Sequence, residues 1–121
     1  MLNIVILILI TVVIASFGQI SMKKGLIESG GIELHQIPTK KLFSIIFQPY
    51  VFTGLVLYSI TTLLWFVVLS KAELSLVYPL IALGYVVTAF LARIYFNESI
   101  TTMRWLGILL IVAGALLIIR S

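Results

Sequence analysis

Four long apolar stretches separated by short charged breaks make up most of this 121-residue chain. A helix needs ~20 apolar residues to cross the hydrocarbon core of a bilayer, and each stretch is that long. In hydrocarbon, the backbone can satisfy its own polar groups only as helices or closed barrels. The sequence therefore predicts an all-α membrane protein with spans at about 2–22, 49–69, 74–95 and 102–119. Lys23-Lys24, Lys71-Ala72-Glu73 and Asn97-Glu98-Ser99 punctuate them. The last three spans are joined by tight turns, so they must run antiparallel as a four-helix bundle. Residues 1–121 read as a single transmembrane domain, because hydrophobic residues make up 62% and charged residues 10%, leaving no room for a soluble unit. The N-terminal stretch lacks a basic leader and a small-residue cleavage site, so it reads as the first span rather than a signal peptide.

No carboxylate falls in the middle of any span. Glu28, Glu33, Glu73 and Glu98 all lie at predicted ends or in loops. Exchange of protons for a cation needs a titratable acid near the midplane, and that chemistry has no evident seat here. With no Cys, disulfides, thiolate metal sites and Cys nucleophiles are excluded. His35 is the single histidine, so neither a metal centre nor a Ser-His pair is expected. No cofactor and no enzyme activity are expected. The net charge of +4 comes from Lys and Arg near helix ends. That placement suits topology and contact with lipid phosphates, not nucleic acid.

The connection at 25–48 is polar and holds Gly30-Gly31, Pro38 and Lys40-Lys41. Its stretch from Lys41 to Phe47 is amphipathic enough to lie on the interface. Pro49 suits the first turn of span two, and Ser99 or Thr101 can cap span four. Gly107 and Gly114 stand seven apart, two turns, on one seam of span four. Small residues let membrane helices approach closely, so this seam marks either packing within the protomer or a dimer interface. Thr11, Ala15, Gly18, Gln19 and Met22 form the less apolar side of span one. The Gln19 amide needs a partner in hydrocarbon, either another helix or a polar headgroup in a cavity. Tyr78-Pro79 should bend span three, since Pro79 leaves the Ser75 carbonyl without its usual donor. Gly84, Thr88 and Ala92 form a second small-residue seam. Tyr58, Trp65, Tyr78 and Tyr85 can line a cavity or pack in the core and interface.

Four spans place both termini on one side. With the Lys71 turn, that side carries Lys71 and Arg120, whereas the other carries Lys23, Lys24, Lys40, Lys41, Arg93 and Arg104. The excess of basic residues predicts that the 25–48 connection is cytoplasmic and the termini face outward. Lys23, Lys24, Arg93, Glu98 and Arg104 then share the cytoplasmic surface. One acid among four bases can hold one of them in place and leave the rest for an anion. Snorkelling toward headgroups is the plainer reading of the same residues.

From Trp65 onward the chain resembles the drug/metabolite transporter superfamily. The resemblance lies in Ala72-Glu73-Leu74-Ser75-Leu76-Val77-Tyr78-Pro79-Leu80, Asn97-Glu98-Ser99-Ile100-Thr101, Arg104-Trp105-Leu106-Gly107-Ile108 and Ala113-Gly114. This layout is shared by the EamA-type repeat and the small multidrug resistance branch. Gly18-Gln19-Ile20-Ser21-Met22-Lys23 adds a similarity at the end of span one. Small multidrug resistance exporters carry their essential Glu three residues before that glycine, where this chain has Ala15. Gly18-Gln19 followed by Lys23 looks closer to the flippase subunits for aminoarabinose-phosphoundecaprenol and related polyprenyl-phosphate sugars. That likeness implies a multi-pass protein of the bacterial inner membrane, a homo- or heterodimer with a similar four-helix subunit, moving a lipid-linked sugar phosphate among membrane lipids. Lys23, Lys24, Arg93 and Arg104 would collect the phosphate, with Glu98 ordering them. Gln19, Tyr78 and Tyr85 would offer hydrogen bonds along a groove. The alternatives are a cationic drug exporter or a non-transporting accessory subunit.

Overall fold

A computed structural model describes residues 2–121. Helix α1 (Leu2–Glu28) is followed by a 3-10 turn (Leu34–Gln36), α2 (Lys40–Ile46), α3 (Pro49–Lys71), α4 (Leu74–Ile81), α5 (Gly84–Phe96) and α6 (Thr102–Arg120). Four segments are long and apolar enough to cross a membrane: Asn3–Glu28, Pro49–Lys71, Leu74–Phe96 and Thr102–Arg120.

The helix ends follow local chemistry. α1 does not stop at Lys23-Lys24 but continues to Glu28. Lysines are good helix formers, so the pair marks the membrane surface and not the end of the helix. The stop comes at Gly30 and Gly31, at φ 82° and 80°, with the Gly31 amide bonded back to the Leu26 carbonyl at 2.7 Å. Gln48 caps α3 by accepting from the Val51 amide, and Pro49 occupies the first turn. Of the two candidate caps for α6, Thr101 does the capping and accepts from the Arg104 amide at 3.2 Å. The amphipathic stretch of the connection forms α2, which leaves Phe43 and Phe47 exposed beside Lys40 and Lys41.

The third span is broken in two. Pro79 donates no hydrogen bond, and the chain tightens after it. Leu83 bonds to Leu80, Tyr85 to Ala82 and Val86 to Leu83, each three residues back. Helical pairing resumes in α5 from Gly84.

Packing centres on α1. It runs against α3 along most of its length and also meets α4 and α5, while α6 rests on α4. Short turns set the antiparallel direction of sequential helices but do not make them touch. α3 meets α4 near the Lys71 turn, through Val68 and Trp65, and scarcely contacts α5. The α1–α3 contact is a glycine seam. A Cβ on Gly54 would meet Met22 and stand 2.6 Å from the Gly18 carbonyl oxygen, and one on Gly25 would stand 2.7 Å from the Val51 amide nitrogen. The seam of Gly84, Thr88 and Ala92 faces α1, since a Cβ on Gly84 would stand 2.5 Å from Val12 and Thr88 bonds to Ser16 at 3.2 Å. Gly107 and Gly114, by contrast, have no neighbour within 4 Å of an added Cβ. Their seam does not pack inside the protomer, and α6 is largely bare.

Candidate functional site

The divergence of α3 from α4 and α5 leaves a groove of about 600 Å³, backed by α1. The α1 lining runs from Ile8 to Gln19, roughly 16 Å at the helical rise, or about half of a ~30 Å hydrocarbon core. The end near the Lys71 turn is closed. There Ile8, Val68, Val77 and Leu80 form a fully buried cluster, and Trp65 meets Tyr78 edge-on with ring centroids 5.9 Å apart. Toward the other surface the walls are polar, with Gln19, Tyr58, Tyr85 and Thr88 along them.

The polar lining is uncharged. Gln19 donates from Nε2 to the Tyr58 hydroxyl, tying α1 to α3. Ala15 lines the groove, so the position of the exporters' essential Glu faces the cavity as a methyl group. Tyr78 and Tyr85 also line it and are exposed. The less apolar side of span one splits in two. Thr11, Ala15 and Gln19 face the groove, while Gly18 and Met22 are pressed onto Gly54. Adjacent residues such as Gly18 and Gln19 point about 100° apart on a helix, which is enough to give one to packing and the other to the cavity.

The basic residues lie one step beyond. Lys23, a turn after Gln19, pairs with Glu98 and also lies 5.0 Å from the centroid of Phe96. The pair ties the end of α1 to the turn between α5 and α6. Glu98 therefore holds Lys23. Among the described residues, no carboxylate lies within 4.0 Å of the cationic groups of Lys24, Arg93 or Arg104. Lys24 sits over the Tyr50 ring, 4.4 Å from its centroid. Arg104 reaches the Ser99 carbonyl at 3.5 Å, and Arg93 is exposed at the end of α5. Exposed pairs such as Lys23–Glu98 contribute little to stability, which leaves their charges available to a ligand.

Sequence reasoning missed most of the hydroxyls. Thr11, Ser16, Thr61, Thr62 and Thr88 all line the groove, yet Ser and Thr in a membrane helix carry no sequence signal beyond their polarity. It also missed Gly25 and Gly54 as packing residues. Gly18 and Gly25 stand seven apart, the same signal that drew attention to Gly107 and Gly114.

The model of the EamA-like transporter family matches residues 30–120, three-quarters of the chain. The chain belongs to the EamA-like transporter family. Among its relatives are proteins described as "Probable 4-amino-4-deoxy-L-arabinose-phosphoundecaprenol flippase subunit ArnE". The one from Pseudomonas fluorescens is 30% identical over 59% of this chain and 62% of its own length. That from Aeromonas salmonicida is 33% identical over 60% and 64%, and that from Pseudomonas aeruginosa (strain UCBPP-PA14) is 34% identical over 61% and 64%. The chain thus spans less than two thirds of the length of these relatives. No solved structure matches this EamA-like chain.

Proposed function

We propose that this chain is a flippase subunit of the bacterial inner membrane that moves a polyprenyl-phosphate-linked sugar across the bilayer. The observation that carries the reading is the adjacency of two unlike sites. An uncharged polar groove reaches Gln19, and Lys23, paired with Glu98, stands one helical turn later. A lipid-linked sugar has the matching parts, an uncharged or weakly charged sugar joined to an anionic phosphate. The descriptions of the ArnE relatives point to the same class of cargo.

In this reading Lys24, Arg93 and Arg104 attract the phosphate, and Lys23 exchanges Glu98 for it. Arg offers a planar fork of donors to phosphate oxygens, and Lys a point charge. The sugar enters the groove against Gln19, Tyr78 and Tyr85, while the polyprenyl tail stays in lipid through the gap between α3 and α5. No covalent bond forms or breaks, so the protein needs no catalytic residue and no enzyme activity is assigned. The closed end lies at the Lys71 turn, and the excess of basic residues puts that end outside. The groove then faces the cytoplasm, where the cargo is loaded, and both termini face outward. A second subunit of similar four-helix build, identical or not, would cover α6 along Gly107 and Gly114. A proton-coupled cation exporter finds no support, because Ala15 gives the groove no carboxylate.

Sealed membrane vesicles from cells with and without the chain test the reading. Uptake of a short-chain polyprenyl-phosphate-glucose should require the chain and should fail in the R93A/R104A variant. Equal uptake without the chain would contradict it.

A further inference from the structure

The Ser and Thr hydroxyls of the groove are not free to act as donors. The Thr11 hydroxyl donates to the Leu7 carbonyl at 2.8 Å, and Ser16 to Val12 at 2.9 Å. Thr61 and Thr62 both donate to the Tyr58 carbonyl, at 2.7 and 3.0 Å. Thr88 donates to the Ser16 oxygen at 3.2 Å. A hydroxyl has one proton and two lone pairs, so these five present acceptors to the cavity. Gln19 gives one N–H to Tyr58 and adds an acceptor, its Oε1. The tyrosine hydroxyls, the second N–H of Gln19 and the Trp65 indole N–H keep protons to give, and all of them are neutral. Among the described residues, no Lys, Arg or His lines the groove.

We infer that the groove selects its sugar by charge: it takes a headgroup rich in O–H donors and rejects one bearing a carboxylate. This rests on the flippase reading above and names the class of sugar. Sugar hydroxyls can donate to the waiting lone pairs, and the apolar faces of the ring can lie on Trp65 and Tyr78. A uronic acid brings a charged acceptor to a groove whose remaining donors are all neutral. Its carboxylate would lose water with no cation to replace it, the costly case for a buried charge. The basic residues cannot help, because they lie beyond the groove at the membrane surface and meet the phosphate that every such lipid carries.

Selection is therefore made in the groove, while attraction is common to all cargo at the mouth. Two lipids that differ only at the sugar separate the two effects. The chain has two tryptophans. Trp65 lines the groove, and Trp105 packs on Phe90. In the W105F variant, held in detergent micelles, fluorescence reports on Trp65 alone. Polyprenyl-phosphate-glucose should bind at least about tenfold tighter than polyprenyl-phosphate-glucuronate, given the cost of an unpaired carboxylate. Adding T62V should weaken the glucose lipid about fivefold, the effect of one lost hydrogen bond, and leave the glucuronate lipid unchanged. Glucuronate binding as tight as glucose, or an equal loss of both in T62V, would overturn the inference while leaving the flippase reading in place. Failure of both glycolipids to bind would remove the flippase reading and the inference with it.

Discussion

Gly54→Ala should loosen the whole protomer, although it adds one methyl group. The new Cβ would stand 2.6 Å from the Gly18 carbonyl oxygen and 3.0 Å from the Met22 amide nitrogen. Both are backbone atoms of α1 and cannot rotate away as a side chain would, so the helices must separate. Overpacking of this kind costs about 1–3 kcal/mol, and the better helix propensity of Ala offsets at most about 1 kcal/mol. The net loss against wild type is then up to about 2 kcal/mol once the full propensity gain is counted, and the loss against a variant that gains the propensity alone is about 1–3 kcal/mol. Gly107→Ala is the matched control, because its Cβ meets nothing within 4 Å. There only the propensity gain of up to about 1 kcal/mol remains, so the variant should be neutral or slightly more stable. Unfolding of each variant in mild detergent, followed by circular dichroism under increasing SDS, measures the difference. Equal midpoints for G54A and G107A would refute the close α1–α3 packing on which the groove's back wall depends.

Three further outcomes follow. Lys23→Arg should keep part of the transport and Lys23→Ala should lose most of it, with membrane level and orientation verified; normal export by K23A would show that Lys23 sets topology only. Replacing Gly107 and Gly114 together by Leu should reduce the oligomer seen by crosslinking in membranes and leave the unfolding midpoint of the protomer near wild type, and an unchanged oligomer would remove α6 as the interface. A Cys at Glu33, on this chain without cysteine, should resist an impermeant maleimide in intact cells, and labelling there would reverse the proposed orientation.

Much of the architecture was legible because hydrocarbon imposes a length and forbids unpaired backbone. Four apolar runs could scarcely be anything but helices, and Pro49 and Thr101 mark ends by local chemistry, whereas α1 runs past Lys23-Lys24, where the sequence put its end, to the glycines at 30 and 31. Neighbour choice was not legible. The spacing of Gly18 and Gly25 equals that of Gly107 and Gly114, yet the first pair packs within the chain and the second does not. Periodicity tells which residues share a face but not what the face meets. Pro79 signalled a bend, whereas the break at Ala82 and Leu83, where Leu83, Tyr85 and Val86 bond three residues back, carries no signal of its own in the sequence. Of the candidate site, Gln19, Tyr78 and Tyr85 do line one cavity. Thr11 and Thr88 were singled out, but Ser16, Thr61 and Thr62 escaped notice because a hydroxyl bonded to its own helix looks, in sequence, like any other.

The central claim is that a lipid-linked sugar occupies the groove behind the basic cluster. Thr62→Cys would place the chain's one thiol on the groove wall, and protection of that thiol from a membrane-permeant maleimide tests occupancy directly. Polyprenyl-phosphate-glucose should slow the labelling, whereas polyprenyl phosphate without sugar should leave it unchanged. Labelling of T62C at the same rate with and without the glycolipid, at concentrations that saturate binding to the protein, would contradict the account.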